Sequence, residues 1–209
     1  MPVPTLWGWG VLIVVFLLVA ALFVAFAHPF LAVNHPLGGQ ALVVEGWVDS
    51  GLLEEVIGAF RTGNYRWLVT TGGPMPSNSY FAHLYPGVST YADLAATALQ
   101  EMGVSQDSIV SIPAPPVPLN RTYAGALRVG SWIERNEAVL SVDVLTQSTH
   151  ARRSWLIYRQ AIGDRAEVGV ISKSVAFYDP DRWWTTSAGV RSLLNEAIAY
   201  VYYKLFFYP

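Results

Sequence analysis

The stretch WLVTTGG, Trp67 to Gly73, decides the fold. Its apolar and β-branched residues stand on consecutive rather than alternate positions, so the strand they form needs cover on both faces, the condition of a parallel sheet. Gly72 and Gly73 then end it in a turn. Read outward from there, the same grammar repeats. Upstream lies ALVVE, Ala41 to Glu45; downstream lie Ile109 to Ile112, VDVLT from Val142 to Thr146, and Val168 to Ile171. Helical patterns run between them: Gly51 to Arg61, with Leu52, Leu53, Val56, Ile57 and Phe60 on one face; Thr90 to Met102, stopped by Gly103; Leu119 to Asn136; and Thr149 to Ile162. Met75 to Ser89 reads as a long polar loop, and Pro113 to Pro118 as a rigid connection. This alternation predicts an α/β domain with a mostly parallel, Rossmann-like sheet and helices on both faces.

None of the 13 basic and 15 acidic residues precedes Glu45. Within that uncharged lead, Leu6 to Ala27 would form a helix about 33 Å long, against a hydrocarbon core of about 30 Å, and so predicts one transmembrane helix. Trp7 and Trp9 at one end, and His28, Pro29 and Phe30 at the other, are the residues expected at the interfaces. A cleaved signal peptide is the competing reading, because Ala25-Phe26-Ala27 fits a small-x-small site; the lack of a basic n-region and the length of the apolar run count against it. No Lys or Arg flanks the helix before Arg61, so a charge bias has nothing to act on and the side of the soluble domain stays open. Residues 1–40 thus read as anchor and tether, and 41–209 as the domain. A net charge of −2 offers no field for phosphate backbones, so nucleic acid is not an expected partner. The absence of cysteine excludes disulfides and thiolate chemistry.

The chain ends in an aromatic helix. From Ala197 to Tyr208 only Lys204 is charged. Leu193, Ala197, Val201 and Leu205 make one stripe, and Tyr200, Tyr203 and Phe207 another, so something must cover both: the domain, the membrane interface or a partner protein.

Ligands of an open parallel sheet bind beyond the carboxyl ends of its strands. That rule selects Gly46, Trp47 and Asp49 after the first strand, and Thr70, Thr71, Gly72 and Gly73 after the second. It also selects Asn120, Arg121 and Thr122 at the start of the helix following the third, and Thr146 to Arg153 after the fourth. The four clusters are expected around one cleft. Gly72 and Gly73 there form either a plain turn or a backbone cradle for an oxyanion, and Asn120 is at least an N-cap. Cations near a helix N-terminus oppose its dipole, so His150, Arg152 and Arg153 imply an anion that joins them; the alternative is pairing with surface carboxylates such as Asp179 or Asp181. Were the cleft catalytic, His150 would be the general acid or base and Asp49 or Asp93 the orienting carboxylate. His28, His35 and His83 lack a second ligand at metal spacing and read as loop residues, so no metal site is expected. No G-x-S-x-G, Walker, G-x-G-x-x-G or H-E-x-x-H motif occurs.

Taken together, VTTGG, the later Gly103-Val104, Arg121-Thr122 opening a helix, and Thr146-x-x-x-His150-x-x-Arg153 resemble the YdcF/SanA/ElyC-like family of bacterial envelope proteins. The resemblance covers roughly Gln40 to Tyr203. It implies a Rossmann-like domain, often behind one transmembrane helix, a link to cell-envelope integrity or surface polymers, and an extracytoplasmic rather than cytoplasmic domain. It carries site roles onto Gly72, Gly73, Thr122, Thr146, His150 and Arg153, while the family's activity is largely unassigned. The chain departs from the family where an acid often opens the helix after Gly-Gly (here Tyr91 or Ala92) and where Glu-Asn often follows the third motif (here Ala124-Gly125).

The expected function is a membrane-anchored domain that binds a phosphate-bearing or otherwise anionic small molecule or lipid-linked headgroup in the cell envelope, with turnover and cofactor left open. The alternative is an accessory subunit that docks on a membrane protein complex through the anchor and the C-terminal helix.

Overall fold

The computed structural model describes residues 3–47 and 50–207. Strand β1 (Ala41–Glu45) is buried at every position, because it is the middle strand of five. It pairs in parallel with β2 (Trp67–Gly72) on one side and β4 (Ser141–Gln147) on the other; β3 (Ile109–Pro113) and β5 (Glu167–Lys173) complete an all-parallel sheet in the order β3-β2-β1-β4-β5. The period-two alternation of a strand divides the core between two faces. Ala41 and Val43 pack with α5 (Arg121–Glu134) and α6 (Ala151–Ile162). Leu42 and Val44 pack with α2 (Ser50–Thr62) and α4 (Tyr91–Glu101). This is the Rossmann-like α/β fold that the consecutive apolar positions predict.

Two local details depart from expectation. The polar loop after β2 contains a short helix α3 (Tyr80–Leu84), capped by the Ser79 hydroxyl, which accepts from the Ala82 N–H at 3.1 Å. Helix α5 begins at Arg121 rather than Leu119, because Asn120 sits in the left-handed region at φ 56 and no side chain caps the helix.

Helix α1 (Leu6–Leu31) is long and apolar enough to cross a membrane. It continues past the expected stop at His28, and residues 28–40 are tied to the domain at several points. His28, expected in a loop, is a buried helical residue whose Nε2 lies 3.1 Å from Ser148 Oγ and 3.3 Å from Tyr178 Oη. His35 exchanges two backbone hydrogen bonds with Val170, at 2.8 and 3.0 Å. The N–H groups of Leu37 and Gly38 each donate to Asp143 at 2.8 Å. Leu31, Val24 and Ala27 of α1 join Tyr178, Trp183 and Leu193 in a third apolar cluster.

Helix α7 (Ser187–Phe206) resolves the question of its two stripes. Leu193, Ala197 and Tyr200 face α1 in that third cluster, and Tyr203 and Phe207 turn toward the sheet end. Val201 and Leu205, drawn with the first stripe by sequence, are exposed instead.

Candidate functional site

Strand order reverses between β1 and β4, and their carboxyl ends flank the point where an open α/β sheet leaves a crevice. β1 delivers Glu45 there, and β4 delivers Thr146. Glu45 is only 2% exposed; its Oε2 accepts from Thr146 Oγ1 at 2.9 Å and from Ser154 Oγ on α6 at 3.2 Å. A tight 3-10 turn, Ser148–His150, then sets the His150 ring between two carboxylates. Its Nδ1 lies 2.9 Å from Glu196 Oε1 on α7, and its Nε2 lies 3.4 Å from Glu45 Oε2. Arg153 completes the array by donating from Nε to Glu196 Oε2 at 2.9 Å and from Nη2 to Oε1 at 3.0 Å. The 3.4 Å approach to Glu45 is an ion-pair distance, longer than an ordinary hydrogen bond, and Nε2 has no closer hydrogen-bond partner among the described residues.

The electrostatics follow from this arrangement. Burial alone would lower the His150 pKa, but the charge of Glu45 and the hydrogen bond to Glu196 outweigh it and raise the value to about 9. For Glu196, burial works upward and is overcome by the hydrogen bonds from His150 and Arg153, which bring it down to about 2. Glu45 is likewise pulled below its ordinary value, burial being outweighed mainly by the His150 charge. At neutral pH the array therefore holds two carboxylates and two cations.

A pH prediction follows. With a folded pKa of about 9 against about 6.5 unfolded, protonation of His150 favours the native state by on the order of 3 kcal/mol below pH 6.5, and this is lost as pH rises through 9. Thermal unfolding of the wild type and of His150→Gln, compared from pH 6 to 9.5, should show the wild type's advantage shrinking across that interval. A constant difference would contradict a charged, doubly paired imidazole.

Above the array opens a cleft of about 970 Å³. Of the four buried side-chain N/O atoms that lack a hydrogen-bond partner among the described residues, three belong to residues lining this cleft: Thr71 Oγ1, His150 Nε2 and Tyr158 Oη. A buried polar atom left unsatisfied costs about 1–3 kcal/mol, so the Thr71 and Tyr158 hydroxyls are unspent hydrogen-bonding capacity in residues of the cleft wall, while His150 Nε2 faces Glu45. The uncapped start of α5 lines the same cleft with Asn120, Arg121 and Thr122, and its first N–H groups have no intrahelical acceptor. Arg121 makes no ion pair among the described residues.

The two glycines of the turn after β2 have different jobs. A Cβ on Gly72 would come 2.8 Å from the Tyr91 Cβ, so this glycine lets α4 close on the strand end. A Cβ on Gly73 would meet nothing nearer than the Pro115 carbonyl at 3.9 Å, so its backbone borders open cleft.

The structure brings Gly72, Gly73, Asn120, Thr122, His150 and Arg153 to one cleft. Thr146 lies beneath it, fully buried, and holds Glu45. Arg152 turns away: its Nε donates to the Phe30 carbonyl and its guanidinium lies 4.0 Å from the centre of the Phe30 ring, so it clasps the end of α1. Asp93 is not beside His150. Its carboxylate accepts from Thr90 Oγ1 at 2.6 Å and Ser111 Oγ at 2.7 Å, fixing the start of α4. Asp49 lies outside the described residues. The orienting carboxylates are instead Glu45 and Glu196, and the anion that joins the cations of α6 is in the chain itself, neither Asp179 nor Asp181. Glu45 had a signal in the sequence, as the one charged residue of an otherwise apolar buried strand. Glu196 had none, being 43 residues from Arg153 on a helix whose packing no local pattern fixes.

No family model matches the chain, and no curated protein matches it. The fold and site define a class: a Rossmann-like α/β domain behind a long apolar N-terminal helix, with an ion-paired histidine at the switch point of the sheet.

Proposed function

We propose that the protein is a membrane-anchored domain whose cleft binds a phosphate-bearing or otherwise anionic small molecule or lipid-linked headgroup in the cell envelope. The observation that carries this reading is a cleft whose wall includes the uncapped N-terminus of α5 and Arg121, which makes no ion pair among the described residues, together with Thr71 and Tyr158, whose buried hydroxyls find no partner among those residues. Because Glu196 and Glu45 already neutralise Arg153 and His150, the anion contacts fall to Arg121 and to the α5 and Gly73 N–H groups. The envelope setting comes from the YdcF/SanA/ElyC resemblance. Anchoring is supported by the packing of Val24, Ala27 and Leu31 into the domain's third apolar cluster, which a leader removed after Ala27 would not need. A lipid-linked ligand suits the site because Glu196, in the cleft, and Tyr200, whose ring centre is 5.3 Å from that of Phe30 on α1, are one helical turn apart.

The test is thermal unfolding of the full chain in detergent with inorganic phosphate, glycerol 3-phosphate or a polyprenyl phosphate. A probe at about 100 times its Kd should add about 2.7 kcal/mol, or roughly 5–10 °C. Arg121→Ala should abolish the shift. Thr71→Val, which removes an unsatisfied hydroxyl, should leave the unliganded protein at least as stable yet weaken the response. Stabilisation by the polyprenyl phosphate alone identifies a lipid source; equal shifts in the wild type and both variants, or no shift with any probe, overturn the reading.

One observation favours a second reading, docking on a membrane protein complex. Leu194, Ile198, Val201, Leu205 and Phe206 form an exposed apolar face along α7.

A further inference from the structure

We infer that the domain is seated directly on the bilayer, with the loop before α7 inserted at the level of the lipid headgroups through Phe177 and Trp184. This rests on the reading of α1 as a membrane span and goes beyond it, because a span alone says nothing about where the domain lies.

The length of free helix carries the argument. Contacts between α1 and the domain begin at Phe23, whose ring stands edge-on to Trp183 with centres 6.2 Å apart, and at Val24, whose carbonyl accepts from Trp183 Nε1 at 3.3 Å. They continue through Ala27, His28 and Leu31. What remains uncovered, Leu6 to Leu22, is a helix of about 26 Å, close to the roughly 30 Å of hydrocarbon it must cross. No slack linker separates bilayer from domain. The first domain residues along α1 therefore meet the membrane where the hydrocarbon ends.

The residues at that level have the composition of an interface. Trp7 and Trp9 stand exposed near the far end of α1. Near the domain end, Trp183 is buried against α1 and Trp184 packs beside it with ring centres 5.9 Å apart, while Trp184 itself is 47% exposed. Phe177, 51% exposed, lies on the same loop, its ring against Tyr178, which in turn bonds His28. From Trp7 to Val24 is about 26 Å along the helix, so the tryptophans form two belts at about the spacing of the two bilayer interfaces. One belt belongs to the helix; the other is supplied by the folded domain. An amphipathic indole at this depth has an apolar body to place among acyl chains and an N–H to leave in the headgroup layer.

The chain has no cysteine, so single cysteines carry unique labels. Ala176→Cys and Thr185→Cys, both exposed positions that leave the aromatic residues in place, would be nitroxide-labelled in the full chain, as would Val15→Cys on α1 and Glu137→Cys at the far edge of the domain. The labelled proteins are reconstituted into phosphatidylcholine–phosphatidylglycerol vesicles, and the accessibility of each label to oxygen and to a water-soluble nickel chelate is measured. The expected result is a label in hydrocarbon at 15, in water at 137, and an oxygen-to-nickel ratio at 176 and 185 severalfold above that at 137. A hydrocarbon signal at 15 with water-like values at 176 and 185 overturns the seating while the span stands. A water-like value at 15 removes the span and the seating with it. Labels at 176 and 185 shielded from both reagents mean that protein covers the loop, which also overturns the inference.

Discussion

Replacing Glu45 with alanine is expected to lower the stability of the full chain by about 3–5 kcal/mol, the range for removing one partner of a buried ion pair. Three groups lose their acceptor or counter-charge together. His150, 7% exposed, keeps only Glu196, and the hydroxyls of Thr146 and Ser154 lose the oxygen they share. At about 2–4 °C per kcal/mol for a chain of this size, the thermal midpoint should fall by roughly 6–20 °C. Glu45→Gln separates the contributions. It keeps an oxygen for the two hydroxyls but removes the charge, so it should be less damaging than alanine while the His150 pKa moves down from about 9 toward its ordinary value. Calorimetry measures the first effect and the pH dependence of the imidazole resonances the second. An alanine variant within 1 kcal/mol of the wild type would mean that the array is a loose surface cluster.

The second large effect is expected at Asp143→Ala. Asp143 is fully buried in β4, and its carboxylate accepts from the N–H groups of Leu37 and Gly38 and from the Tyr65 hydroxyl at 2.7 Å. Burial, and then the hydrogen bond and charge of Asp143, hold the Tyr65 phenol well above its ordinary pKa. Without the carboxylate, the N–H groups of Leu37 and Gly38, the more distant Gly39 N–H at 3.4 Å and a phenol are left unsatisfied at about 1–3 kcal/mol each; solvent recovers part of this, for a net loss of about 3–5 kcal/mol. The loss should be local as well as global. Hydrogen exchange at residues 35–40 should accelerate, because this carboxylate ties the segment after α1 to the sheet. Unchanged protection there, with stability lost elsewhere, would assign the pinning to the His35–Val170 backbone pair instead.

Much of this architecture is legible in the sequence. The runs ALVVE, WLVTT and VDVLT carry apolar side chains on successive positions because both faces of each strand are covered, and that pattern is local to each strand. The rule that ligands meet strand ends then brought Gly73, Thr122, His150 and Arg153 to one rim. It could not say which way each side chain turns. Arg152 and Arg153 are neighbours in sequence, yet one clasps Phe30 and the other binds Glu196, because successive helical residues point about 100° apart and the two sides of α6 face different elements. Asp93 looked like a site acid by position, but Thr90 and Ser111 claim its two oxygens.

The sequence by itself determined the strands, the helices, the apolar lead and the identity of the strand ends, since each is written in a periodicity or composition spanning a few residues. Only the tertiary structure decided that the long apolar helix α1 packs into the domain without an intervening linker, that Glu196 comes back across 43 residues to neutralise Arg153, and that Thr71, Tyr158 and His150 line a common cleft. Those facts depend on how α1 and α7 pack against each other and on the sheet, and a helix apolar on all sides does not record in its own sequence which face meets which neighbour.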